Sequence, residues 1–289
     1  MSPSLLVPLL ATTIGSYANA PAGTVSQLPP EILNRKAIEA QRQAQQQGSS
    51  GPQIPAQVAG CVDDMEANPA IGARAAQAAL DRAKGEARVR AGLCLGVALG
   101  AMERWDEARA AFLQARDTAA ATDAASRARL GAMAGNAALA GGTAGTALPI
   151  LDTAKRDAQT AGDADLLGTI ALDRARALVS LGQLSQAASA LADARAAIPN
   201  NAQAWLLSAT LSRRQNQLGD AQTQIERAAQ LDPVDPEIGL EAGVIAVLAG
   251  REEAARKSWQ SVVSTAPDSE PAKTARTYLA QLAQGSAKP

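Results

Sequence analysis

The sequence predicts an all-α protein, a right-handed α-solenoid of helix–turn–helix repeats. About five complete units follow a partial N-terminal unit, and a single capping helix closes the stack. Three observations carry this. Of the 289 residues, 47% are apolar yet only 2% are aromatic. Ala and Leu dominate, and both favour helices that approach closely. The alternating Val, Ile, Thr and aromatic residues of strands are absent. Second, Ala108, Ala147, Ala187, Ala221 and Ala255 are each followed four residues later by a larger apolar side chain: Phe112, Leu151, Leu191, Ile225 and Trp259. Three residues further come Ala115, Ala154, Ala194, Ala228 and Val262, and successive copies lie 39, 40, 34 and 34 residues apart. Third, Gly142, Gly182 and Gly250 fall where a turn between paired helices is needed, and Pro199, Pro233 and Pro267 fall at unit ends. Proline cannot continue a helix and restricts the residue before it.

Taken in order, the chain opens with the ten-residue apolar run Leu5–Ile14, followed by small residues. This is the pattern of a secretory leader, too short to span a bilayer as a helix, although no Lys or Arg precedes it. Cleavage is expected after Ala18 or Ala22, since Pro21 hinders a cut after Ala20, and residues 1–22 are assigned to the leader. A disordered apolar tail is the alternative. Residues 23–59 read as a tether: Gln41–Gly51 is polar and of low complexity, with Pro29, Pro30, Pro52 and Pro55 around it. Such composition buries too little apolar surface to offset the entropy of ordering. The solenoid is expected over 60–284 and a short disordered tail over 285–289.

Small–x3–large–x2–small is the second-helix pattern of the tetratricopeptide repeat (TPR), which the stretch from about Pro69 to Leu282 resembles. Leu95-Gly96, Ala134-Gly135 and Ala242-Gly243 stand at its large/small pair, where the two helices of a unit cross. Trp205 occupies its tryptophan position, and Asn201–Pro233 is the copy nearest the consensus. HEAT-type repeats fit the 34-residue period and terminal proline less well. The extra residues of the two long spacings lie in Asp117–Leu130 and Ala158–Leu167, where lengthening paired helices by about one and a half turns of 3.6 residues absorbs them. Pro69–Lys84 carries only a second-helix pattern. Ser269–Gln284 reads as the cap, with Ala272, Ala275, Leu279 and Leu282 inward and Lys273, Arg276 and Thr277 in water. The resemblance places Trp105, Trp205 and Trp259 at helix-packing positions rather than in a ligand box.

Cys61 and Cys94 are the only cysteines. Their setting, CVDDMEANPAIGARAA and GLCLGVALGAMERWDEA, is similar to that of proteobacterial periplasmic TPR proteins with a cysteine pair. That resemblance implies a disulfide tying the weak N-terminal unit to the stack, worth about 3–4 kcal/mol in the chain-entropy model. Two free buried thiols are the alternative.

Composition also narrows function. The chain has no histidine, which removes imidazole general bases, Ser-His-Asp triads and His-ligated zinc. Two cysteines cannot form a four-thiolate site. No catalytic residue, metal or cofactor is expected, and the chain reads as non-enzymatic. With 27 basic and 28 acidic residues dispersed along it, the chain lacks the positive field and aromatic platforms of nucleic-acid binders. No membrane span is expected in the mature chain.

The resemblance implies a periplasmic scaffold binding a protein or peptide along a concave face lined by first helices. Outward positions there are Arg90, Val97, Arg129, Asn136, Arg176, Thr210 and Arg213. Arginines suit acidic side chains or a terminal carboxylate, but helix-surface arginines are as often simply solvated or paired locally. Asn136 stands at a carboxylate-clamp position of chaperone-binding TPRs. Its lysine counterpart is Ala132 and the next helix carries Asp173, so that clamp is not carried over. A structural subunit of an envelope, secretion or polysaccharide-export complex, using the convex face or the tether, is the second reading.

Overall fold

A computed structural model describes residues 68–285, and its described elements are all helical. They are α1 (Pro69–Arg82), α2 (Gly85–Ala101), α3 (Trp105–Thr118), α4 (Ala124–Ala140), α5 (Ala144–Ala161), α6 (Ala164–Ser180), α7 (Leu184–Ala197), α8 (Ala202–Arg214), α9 (Leu218–Leu231), α10 (Pro236–Leu248), α11 (Glu252–Thr265) and α12 (Glu270–Gly285). The five complete units are the pairs α2–α3, α4–α5, α6–α7, α8–α9 and α10–α11. Helix α1 is the described helix of the partial unit, and α12 is the cap. The expected leader, the tether and Cys61 lie outside the described residues. Among the described helices, none is long and apolar enough to cross a membrane.

Within each pair the helices meet where the sequence is smallest. Gly96 lies against Phe112, Gly135 against Leu151 and Gly243 against Trp259, each so closely that a Cβ on the glycine would overlap the partner. The anchors are buried: Leu151 is 0% exposed, Phe112 5% and Trp259 3%. Trp105 and Trp205 are half-buried at helix-packing positions, Trp105 beside Gly141 and Trp205 against the core of its own unit. Trp205 lies 5.3 Å beneath the Arg195 guanidinium, and its Nε1 donates to the Pro199 carbonyl at 2.8 Å.

The long spacings resolve into added helical turns. Helices α4 and α6 have 17 residues and α5 has 18, whereas α8 and α10 have 13 and α9 and α11 have 14. Helix α2, with 17 residues, is long as well.

Turns and starts follow local chemistry. Gly142, Gly182 and Gly250 are left-handed, with φ of 73°, 72° and 74°. Two residues before α3 and α9 the same position is held by Glu103 (φ 58°) and Asn216 (φ 60°). A Cβ is disfavoured there, least for Asn. Glu103→Gly is expected to stabilise the protein by about 0.5–1 kcal/mol and Asn216→Gly by less, read from denaturant midpoints. First helices α4, α6, α8 and α10 begin on side-chain caps from Asp123, Asp163, Asn201 and Asp235, which satisfy amides otherwise left open. Second helices start directly from the left-handed turn, without such caps.

The helices stack in two layers, first helices on one side and second helices on the other. First helices α4 and α6, and α8 and α10, approach closely, whereas no successive second helices make comparable contact. The second helices are instead linked by long side chains: Arg116 of α3 to Asp157 of α5 at 2.7 Å, and Lys155 of α5 to Asp193 of α7 at 2.9 Å. Two neighbouring pairs of first helices, α2/α4 and α6/α8, approach less closely. The sparsest packing between consecutive helices is at α7/α8.

At the C-terminal end Ala272 and Ala275 are fully buried on the last unit, with Leu279 and Leu282 against the same cluster. Lys273, Arg276 and Thr277 are exposed, as the capping pattern requires.

Candidate binding groove

Where first helices approach least closely, space opens between them. One cavity, about 340 Å³, lies between α2 and α4 and is bounded at one end by the α3–α4 linker. Val89 and Leu93 of α2 face Leu130 and Met133 of α4 across it, with Arg90, Arg129, Glu86 and Asp123 at its edge. The second, about 250 Å³, lies between α6 and α8. Val179, Leu191, Leu207 and Leu211 provide apolar walls, and Arg176 and Arg214 are its charged lining residues. Another, about 350 Å³, lies at the far end between α10, α11 and the cap α12, beside Trp259 and Tyr278.

Four of the residues singled out from sequence are thereby gathered into two places. Arg90 and Arg129 line the first cavity, and Arg176 and Thr210 line the second. Asn136 is exposed on α4, the helix between them. Val97 is half-buried against the N-terminal core cluster. Arg213 is a strut between units, its Nε and Nη2 donating to Glu241 of α10 at 2.6 and 3.2 Å. Cys94 packs partly buried against the N-terminal core, on the helix that forms one wall of the first cavity.

The groove arginines differ in how firmly they are held. Arg90 meets Glu86 at 3.8 Å with both side chains well exposed, a contact worth little. Arg129 Nη2 donates to Asp163 at 3.3 Å, and Asp163 also caps α6 through the Leu166 amide. Asp123 caps α4 in the same way. Hydrogen bonds from Ser126, side chain and then backbone, hold its carboxyl below the ordinary value, against a small opposing effect of burial. Arg214 is exposed and has no ion-pair partner among the described residues.

Asp173 is the unusual group. It is 2% exposed on α6; Arg176 Nη1 donates to its Oδ1 at 2.7 Å, while Oδ2 is buried without a partner. Burial pushes its carboxyl above the ordinary value, opposed by the Arg176 charge and by the Asn136 and Arg176 side chains beside it. A carboxyl that holds its proton more tightly when folded stabilises the fold in acid. That contribution is lost as pH rises from about 4 through the folded value. Asp173→Asn is therefore expected to raise stability at pH 7 by about 1 kcal/mol, the scale of an unsatisfied buried acceptor. The gain should shrink at pH 4, and urea unfolding of both proteins at the two pH values checks this.

Sequence reading missed the apolar walls. Val89 and Leu93 adjoin Arg90 on the same helix, but that half-buried Val89 and buried Leu93 border a cavity follows from the looser α2/α4 approach, which no pattern within one helix reveals. Among the described residues no cluster of three or more potential ligands could hold a metal ion.

No protein-family model matches the chain, and no curated protein matches it significantly. Solved structures do resemble it. PilW, described as a widely conserved type IV pilus biogenesis factor, has a TM-score of 0.61 at 18% identity, covering 78% of this chain and 99% of PilW. Pseudomonas aeruginosa pilF has a TM-score of 0.60 at 14% identity, covering 77% of this chain and 96% of its own. YrrB, described as a TPR protein with an unusual peptide-binding site, has a TM-score of 0.50 at 20% identity over 71% and 99%. Likeness at this level of identity shows a shared fold, that of the TPR solenoid.

Proposed function

We propose that this TPR solenoid is a non-catalytic scaffold of the bacterial periplasm that binds a protein or peptide along its concave face. The observation that carries the reading is the pair of arginine-edged apolar cavities, both between first helices and both on the groove side. Concave, largely apolar sites with a few convergent polar groups are the usual form of ligand sites. YrrB, with its peptide-binding site, offers a precedent for this use of the fold. The periplasmic assignment rests on the leader pattern of residues 1–22 together with the cysteine pair. A Cys61–Cys94 disulfide belongs to the same proposal: it pins the chain before α1 to α2, an arrangement oxidising compartments permit. Peptide mapping under non-reducing conditions tests it directly.

The likeness to PilW, a type IV pilus biogenesis factor, favours a second reading, in which the chain is an assembly subunit using its outer face or its tether. Charge reversal separates the two. In crosslinked pull-downs from the native envelope, Arg129→Glu and Arg176→Glu are expected to reduce recovery of the partner about tenfold, since each replaces an attraction with a repulsion. Recovery equal to wild type, with both variants folded, would transfer the function to the outer face.

A further inference from the structure

The two cavities are not interchangeable, and their separation is set by the stack. First helices in contact lie roughly 10 Å apart. The cavities are two such steps from each other, roughly 20 Å across the stack. They also lie at opposite halves of the first helices, N-terminal on α2 and α4 and C-terminal on α6 and α8, so their centres are roughly 20–25 Å apart. Extended chain advances about 3.3 Å per residue, which makes that distance about six to seven residues. Between them α4 and α6 close against each other. On that ridge Asn136 is exposed, and its amide can both donate to and accept from a peptide backbone.

The charges at the two ends differ. The first cavity has Glu86 and Asp123 among its lining residues beside Arg90 and Arg129, so its edge is balanced. The second has Arg176 and Arg214 and no acidic lining residue. Accordingly, we propose that the groove reads its ligand at two points. The ligand is an extended peptide carrying two bulky apolar side chains about six to seven residues apart. One enters the α2/α4 cavity without a charge requirement. The other enters the α6/α8 cavity with acidic residues beside it, facing Arg176 and Arg214. Linking two weak anchors on one segment makes the second contact intramolecular, so affinity depends steeply on their spacing.

This inference rests on the concave face being the binding face, and the test separates the two statements. A random dodecapeptide library is selected on the full chain, and enriched peptides are measured by fluorescence anisotropy. The proteins are wild type, Val89→Glu and Arg214→Glu. Arg214 is exposed, so its variant is expected to keep the wild-type circular dichroism and melting behaviour. Val89 is half-buried against the N-terminal core, so Val89→Glu is expected to melt lower and its binding is measured well below its own melting point. Enriched peptides are expected to share two large apolar positions about six to seven residues apart, with Asp or Glu beside one of them. Each variant is expected to weaken them about tenfold, the equivalent of about 1.4 kcal/mol. Moving the two apolar residues to half the spacing should cost a similar factor. Peptides that are weakened by the variants but show no spaced pair would overturn the two-point reading and leave the groove as binding face. Peptides indifferent to both variants, or no enrichment at all, would overturn both.

Discussion

Gly243→Ala is expected to destabilise the last repeat by about 3 kcal/mol. A Cβ at Gly243 would lie 2.1 Å from the Trp259 indole nitrogen and 2.5 Å from two further indole atoms. The ring cannot simply step aside. It is 3% exposed, its Nε1 donates to the Leu240 carbonyl at 3.1 Å, and Tyr278 of the capping helix sits 5.1 Å from it, centroid to centroid. Moving it strains the packing by about 1–3 kcal/mol and sacrifices a hydrogen bond worth about 1 kcal/mol. The higher helix propensity of alanine returns up to about 1 kcal/mol. Because the cap rests on Trp259, α12 is expected to lose hydrogen-exchange protection before the other helices. Wild-type protection throughout α12 would contradict this account of the crossing.

Leu151→Ala is expected to cost about 3–4 kcal/mol, within the range for emptying a fully buried leucine site. Leu151 is 0% exposed and fills the space that Gly135 leaves on α4. Gly135→Ala alone would bring a Cβ to 2.4 Å from the Leu151 Cδ2, and is expected to cost about 1–3 kcal/mol. The double variant should cost less than the sum, because the cavity made by one substitution accepts the methyl added by the other. Denaturant unfolding followed by circular dichroism and by tryptophan fluorescence gives all three values. Strict additivity would mean the two residues do not share the crossing.

The fold was legible because a repeat displays its packing rule several times. Ala147, Leu151 and Ala154 alone are a common helical pattern; five copies in one register leave few alternatives. The glycine turns were legible for the same reason. Their two substitutes were not, since Glu103 carries no signal of its own and becomes recognisable only by alignment with Gly142, Gly182 and Gly250. The groove was legible in part. Helical periodicity pointed Arg90, Arg129 and Arg176 outward but said nothing of what holds them. Arg129 meets Asp163, 34 residues on, and Arg213 meets Glu241, 28 residues on. Those partners belong to the next unit, so they follow from how units stack and not from any single helix. The cavities were illegible for the same physical reason: they are gaps between units, set by how closely α2 approaches α4 and α6 approaches α8.

The sparse α7/α8 joint has a mechanical consequence. A stack of packed hairpins behaves as a beam, and its stiffness at each joint follows the amount of surface pressed together there. The joint between Ala197 and Ala202 is therefore expected to yield first under load, followed by the similarly sparse α9/α10 joint. The α6/α8 cavity adjoins that first joint. A ligand held there is expected to stiffen it.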